Sequence, residues 1–94
     1  MGGAFRVLTT PSFEREFRRT SNGNPALITG LEELVAILRQ DPHNRSGRYA
    51  IKKLASLRSG DGQWRIRLRD YRLRYDIEGQ NVVLHSFRHR KHAY

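Results

Sequence analysis

Residues 64–77 read WRIRLRDYRLRYDI, a run in which apolar or aromatic side chains alternate with arginine or aspartate. Successive side chains of an extended strand point to opposite faces, so this run forms strands with one apolar and one basic side. With Arg69-Asp70 as a two-residue turn, Leu68 faces Tyr71, Ile66 faces Leu73 and Trp64 faces Tyr75. Arg67 then faces Arg72 and Arg65 faces Arg74 on the other side. A slip of one residue would mix arginines into the apolar face, so the alternation itself selects the register.

The same reasoning extends through a turn at Gly79-Gln80. It pairs Ile77 with Val82, Tyr75 with Leu84 and Leu73 with Ser86 on the apolar side. Asp76 then meets Val83, Arg74 meets His85 and Arg72 meets Phe87, which predicts that His85 and Phe87 join the basic face. Trp64, Tyr71 and Tyr75 belong to the core, and Phe87 is the aromatic on which an unstacked base could lie.

Upstream, AFRVLTT is compatible with a short strand that ends at Thr10. Thr10-Pro11 reads as an N-cap followed by proline at the first helical position, and Phe13 and Phe17 lie one turn apart on a helix ending near Arg19. After the turn cluster Ser21–Pro25, Leu27, Ile28, Leu31, Leu34, Val35 and Leu38 keep helical spacing until Asp41-Pro42. Residues 43–50 are polar and contain glycine, and Ile51-Lys52-Lys53-Leu54 leads toward the final sheet. The expected fold is α+β, one domain over residues 1–94. An N-terminal strand and a helix hairpin pack on one face of a mostly antiparallel four-stranded sheet, in the order β-α-α-β-β-β.

With 18 Lys and Arg against 9 Asp and Glu, the formal charge is +9 and the pI near 11.1, which makes nucleic acid the leading partner. An acidic protein also suits that charge. No apolar run is long enough to span a bilayer, so no membrane partner is expected. Cysteine is absent, which excludes disulfides, thiolate chemistry and Cys-ligated zinc, and no secretory h-region follows Met1-Gly2-Gly3. A reducing cytoplasm is the expected location.

Arginines crowded on one sheet face repel one another, and the nearby acids are limited to Asp70, Asp76 and Glu78. A charge run is often only a solvated face. The five arginines of residues 64–77, followed by HSFRHRKHAY, favour an anion site, with Arg65, Arg67, Arg74, His85, Phe87, Arg88, Lys91 and His92 as candidate RNA contacts. His85, His89, His92 and Tyr94 are the side chains able to move a proton there, since a guanidinium stays protonated.

The strand, helix hairpin, basic loop and three-stranded meander, with the DYR turn in WRIRLRDYRLRYDI and the terminal HSFRHRKHAY, resemble the RelE/ParE toxin superfamily of bacterial toxin–antitoxin systems. The resemblance implies a metal- and cofactor-independent endoribonuclease that cuts mRNA in the ribosomal A site and is neutralised by a cognate antitoxin. By motif, Arg72 and Arg90 match the family's phosphate-stabilising arginines and Tyr94 its C-terminal catalytic tyrosine, with His89 as the next candidate for proton transfer. Arg65 and Arg67 stand where well-known members carry lysines. Arg69 and Arg88 replace family glycines, and His92 stands where an acidic residue is common. Operator DNA would be contacted only through the antitoxin complex. A ParE-like inhibitor of DNA gyrase and a noncatalytic RNA- or antitoxin-binding module are the alternative readings.

Overall fold

The computed structural model describes residues 4–54 and 60–92. The chain opens with β1 (Arg6–Thr9), followed by helices α1 (Pro11–Ser21) and α2 (Pro25–Gln40). Strands β2 (Ile51–Lys53), β3 (Trp64–Leu68), β4 (Tyr71–Glu78) and β5 (Asn81–His89) follow, and a 3₁₀ turn spans Arg90–His92. One mixed sheet has the order β1-β5-β4-β3-β2, with β1 parallel to β5 and the other neighbours antiparallel. Among the described residues no helix is long and apolar enough to cross a membrane.

Local chemistry sets the helices. The Thr10 hydroxyl accepts the Phe13 N–H at 3.2 Å and donates to the Leu84 carbonyl at 3.0 Å, so the expected cap both starts α1 and fastens it to the sheet. Phe13 and Phe17 stack with centroids 5.9 Å apart, and Phe17 meets Phe87 edge-on at 5.1 Å. On α2, Leu27, Leu34 and Leu38 are buried at helical spacing. A Cβ at Gly30 would lie 2.6 Å from Leu68 Cδ2, so glycine lets this helix approach β3 closely.

The core joins these side chains to Ile66, Leu73, Tyr75, Val82, Leu84 and Phe87, all on the helix side of the sheet. Tyr75 is buried with its hydroxyl donating to the Pro42 carbonyl at 2.7 Å. Burial, with a smaller push from Asp41, raises its pKa and keeps the phenol a donor.

Two expectations are corrected. The sheet has five strands, because Ile51–Lys53 adds to β3 with Ile51 opposite Ile66, Lys52 opposite Arg65 and Lys53 opposite Trp64. A three-residue strand with two lysines is too short for alternation to reveal it. The β3–β4 register matches the sequence reading at every pair, and Arg69 takes a positive φ of 55° in the turn.

The β4–β5 register holds only from Ile77↔Val82 to Tyr75↔Leu84, after which it shifts to Arg74↔Ser86, Leu73↔Phe87, Arg72↔Arg88 and Tyr71↔His89. His85 is therefore the extra residue of a bulge. An unbroken register would bury Ser86 and expose Phe87. Burying a phenylalanine contributes about 1.5–3 kcal/mol, enough to favour the bulge that exchanges them. Phe87 is thus a fully buried core residue and not a base-stacking platform on the basic face.

Replacing Phe87 with alanine is expected to cost about 3–5 kcal/mol in chemical denaturation, the range for deleting a core aromatic. A loss under about 0.5 kcal/mol, as at an open surface, would contradict the bulged register.

Candidate functional site

The face of the sheet opposite the helices gathers the cations. Lys52, Arg65 and Arg74 lie in one cross-strand row and Arg67, Arg72 and Arg88 in the next. Arg72 stands at the centre of the second row and is half-buried. Its Nη1 donates to the Tyr71 carbonyl at 3.2 Å and more weakly to the Arg69 carbonyl at 3.4 Å. Its Nε is buried without a hydrogen-bond partner among the described residues.

Burial first, then Arg65, Arg67 and Arg90, lower the Arg72 pKa, while Asp70 opposes them weakly. A guanidinium remains charged under such pressure, so the crowding appears as a strongly positive local potential.

The 3₁₀ turn brings Arg90 into this group. Its backbone N–H donates to the Asp70 carbonyl at 2.7 Å, and its Nε lies 3.9 Å from Asp70 Oδ1. The end of β5 is thereby tied to the β3–β4 turn, and Arg90 comes within electrostatic range of Arg72, eighteen positions earlier in the sequence. Arg90 and Asp70 are both about 60% exposed (60%/62%), so an incoming anion could displace this long contact.

Other predicted contacts are held within the protein. Arg74 donates from Nη2 to the Asp61 carbonyl at 2.6 Å and from Nε to the Gly62 carbonyl at 3.1 Å, which fastens the loop before β3 over the sheet. Gly62 has φ +80° and a Cβ there would sit 2.9 Å from Arg74 Cβ, so this close approach requires glycine. Arg88 reaches over the sheet edge to Glu16 of α1 at 2.8 Å. Glu16 also accepts the Phe87 N–H at 2.9 Å, taking the place of a neighbouring strand where β1 has ended.

His85 and His89 separate. His85 turns to Asp76, with Nε2 2.9 Å from Oδ2, a close approach without hydrogen-bond alignment. His89 lies across the sheet from Arg72, edge-on to Tyr71 at 5.3 Å. Its Nδ1 accepts the Lys91 N–H at 3.2 Å, so a neutral ring carries its proton on Nε2 and can donate there. Lys91 and His92 are exposed, and Tyr94 lies outside the described residues. Among the described residues no three His, Asp or Glu side chains converge to hold a metal ion.

Sequence reasoning missed the structural roles of Asp76 and Glu16. Asp76 is 1% exposed and accepts backbone N–H groups of Gly60, Gln63 and Gly62 at 2.7, 2.9 and 3.1 Å. Burial alone would raise its pKa, but those three donors and His85 outweigh it and the pKa is lowered. A lone carboxylate in the arginine register was the available signal. Glu16 had none, because its partners lie more than seventy residues away.

Residues 7–94 match the family model described as ParE toxin of type II toxin–antitoxin system, parDE. The chain belongs to this family and is a toxin of a type II toxin–antitoxin system. Among solved structures it resembles a chain in the crystal structure of the toxin–antitoxin complex RelBE2 from Mycobacterium tuberculosis. The two share 22% identity, with a TM-score of 0.70 over 92% of this chain and 98% of that one, a likeness of fold. No curated protein matches.

Because folding lowers the Asp76 pKa from 3.8, its carboxylate stabilises the fold fully above that value, and the contribution is lost as pH falls through the folded pKa. Between about pH 5 and about pH 2 the wild-type denaturation midpoint is expected to fall more steeply than that of Asp76→Asn. Parallel curves would remove Asp76 as the anchor of the loop.

Proposed function

We propose that this toxin is an endoribonuclease that cleaves mRNA in the ribosomal A site and is neutralised by a cognate antitoxin. The observation that carries the reading is the meeting of Arg72 and Arg90, from two distant motifs, beside Arg65 and Arg67 on one outward face. In this reaction a ribose 2′-oxygen bonds to the adjacent phosphorus while the bond from phosphorus to the 5′-oxygen breaks. The products are a 2′,3′-cyclic phosphate and a 5′-hydroxyl, formed without metal or cofactor.

Charge builds on the phosphoryl oxygens as the phosphorane forms. Arg72, already crowded by like charges, gains most from an anion at that point, and Arg90 can swing from its long contact with Asp70 to meet it. Arg65 and Arg67 hold the flanking phosphate. In this scheme Tyr94, as phenolate, takes the 2′ proton, and His89 in its imidazolium form returns a proton to the departing 5′-oxygen. Within the 3₁₀ turn Lys91 adds exposed positive charge and His92 an exposed imidazole, and operator DNA is met only through the antitoxin complex.

A second reading is favoured by the family description itself, which names parDE. On that reading the chain inhibits DNA gyrase, and the basic face contributes only binding.

End-mapping of an mRNA, with and without translating ribosomes, separates the two. Wild-type protein is expected to cut within the A-site codon, and Arg72→Ala or Arg90→Ala to slow cleavage by about 10²–10³-fold or more while circular dichroism stays unchanged. Wild-type rates in either variant would discard the site. Absence of cleavage together with inhibition of gyrase supercoiling would select the second reading.

A further inference from the structure

α1 carries a cation cluster that the proposed site does not use. Arg15, Arg18 and Arg19 are exposed and, with Asn22, line a shallow groove of about 530 Å³. They follow the spacing i, i+3, i+4, i+7, so one side of the helix presents them together. Like charges at this spacing disfavour a helix. The helix dipole accounts for Arg18 and Arg19 in the last turn but gives no reason for Arg15.

The carboxylates that could relieve the cluster are engaged elsewhere. Glu14, four residues before Arg18, accepts a hydrogen bond from the Thr9 hydroxyl. Glu16 is held by the Phe87 N–H and by Arg88. Among the described residues no carboxylate lies within ion-pair distance of Arg15, Arg18 or Arg19.

A second groove, of about 330 Å³, continues from this one through the shared Arg19. It passes Glu16, whose carboxylate is paired with Arg88, then Thr20, Arg88, His89 and His92, so its far end reaches the segment on either side of Arg90 in sequence. From these observations we infer that the outer side of α1 is a second phosphate-binding surface, along which the single-stranded RNA flanking the cut runs after crossing the end of the sheet. Guanidinium groups one turn apart can fork onto successive phosphates, and Thr20 and Asn22 supply neutral hydrogen bonds to phosphate or ribose oxygens. Continuity with Arg88, His89 and His92, at the end of the chain segment that carries Arg90, favours RNA over an acidic protein as the occupant. The inference rests on the endoribonuclease reading for the direction of the strand.

The test uses RNA with 2′-O-methyl ribose throughout, which cannot undergo attack by a 2′-hydroxyl, so binding is read independently of cleavage. Three full-length proteins are compared by fluorescence anisotropy across salt concentrations. They are the wild type, the triple variant Arg15→Gln/Arg18→Gln/Arg19→Gln, and Arg39→Gln/Arg45→Gln/Arg48→Gln, which removes equal charge from the end of α2 and the loop after it. The α1 variant is expected to lose about 2 from the magnitude of the salt slope on single-stranded RNA, while the control keeps the wild-type slope. Equal slopes in the two triple variants would reduce the effect to net charge and overturn the inference. Loss on duplex RNA alone would overturn the single-strand path, and loss of polyglutamate binding with RNA binding intact would assign the surface to an acidic protein. Unmodified mRNA left uncut by the wild type on translating ribosomes would refute the nuclease reading alone, because the slopes would still report the surface.

Discussion

Ile66, Leu73 and Tyr75 are at most 1% exposed on one side of β3 and β4, and their burial forces Arg65, Arg67, Arg72 and Arg74 onto the other. Each buried side chain contributes about 1.5–3 kcal/mol. Two unit charges 4 Å apart in bulk water repel by only about 1 kcal/mol, so burial wins and the repulsion is tolerated at a solvated surface. The arginine face is therefore electrostatically unfavourable but stable. An anion placed on this face would relieve that repulsion, and the proposed function rests on that relief.

The cations do not form one uniform patch. Arg74 is tied to two loop carbonyls and Arg88 to Glu16, which gives both internal duties. Arg72 is crowded by its neighbours, and among the described residues the Arg90 side chain has a long contact to the exposed carboxylate of Asp70. Net charge attracts a polyanion at a distance, whereas the distribution of internal partners decides where it can be gripped. Asp76 sits between these roles. By collecting three backbone N–H groups it fixes the loop that Arg74 also holds, and so sets one boundary of the basic face.

The bulge at His85 decides what stands on each side of the sheet's far end. It carries Phe87 into the core, leaves Arg88 at the edge and places His89 against Tyr71 on the helix side. One inserted residue thereby removes an expected aromatic from the basic face and turns an expected base toward a hydrogen bond with Lys91. The bulge connects both faces at the end where Arg90 follows.

Periodicity in the sequence was sufficient for the β3–β4 hairpin, since any slip would have placed arginines in the core. It was also sufficient for α1 and α2, whose Thr10 cap, two N-terminal prolines and apolar spacing all agree. The motifs that named Arg72 and Arg90 were legible too, but not the contact with Asp70 that draws Arg90 toward Arg72. That contact depends on Asp70 receiving the backbone of Arg90 after β5 has crossed the sheet. Strand β2, the parallel pairing of β1, the bulge and the tasks of Glu16 and Asp76 came only from tertiary structure. Each balances a residue against partners distant in sequence, as when Phe87 displaces Ser86 from the core, and alternation along a single strand carries no information about that competition.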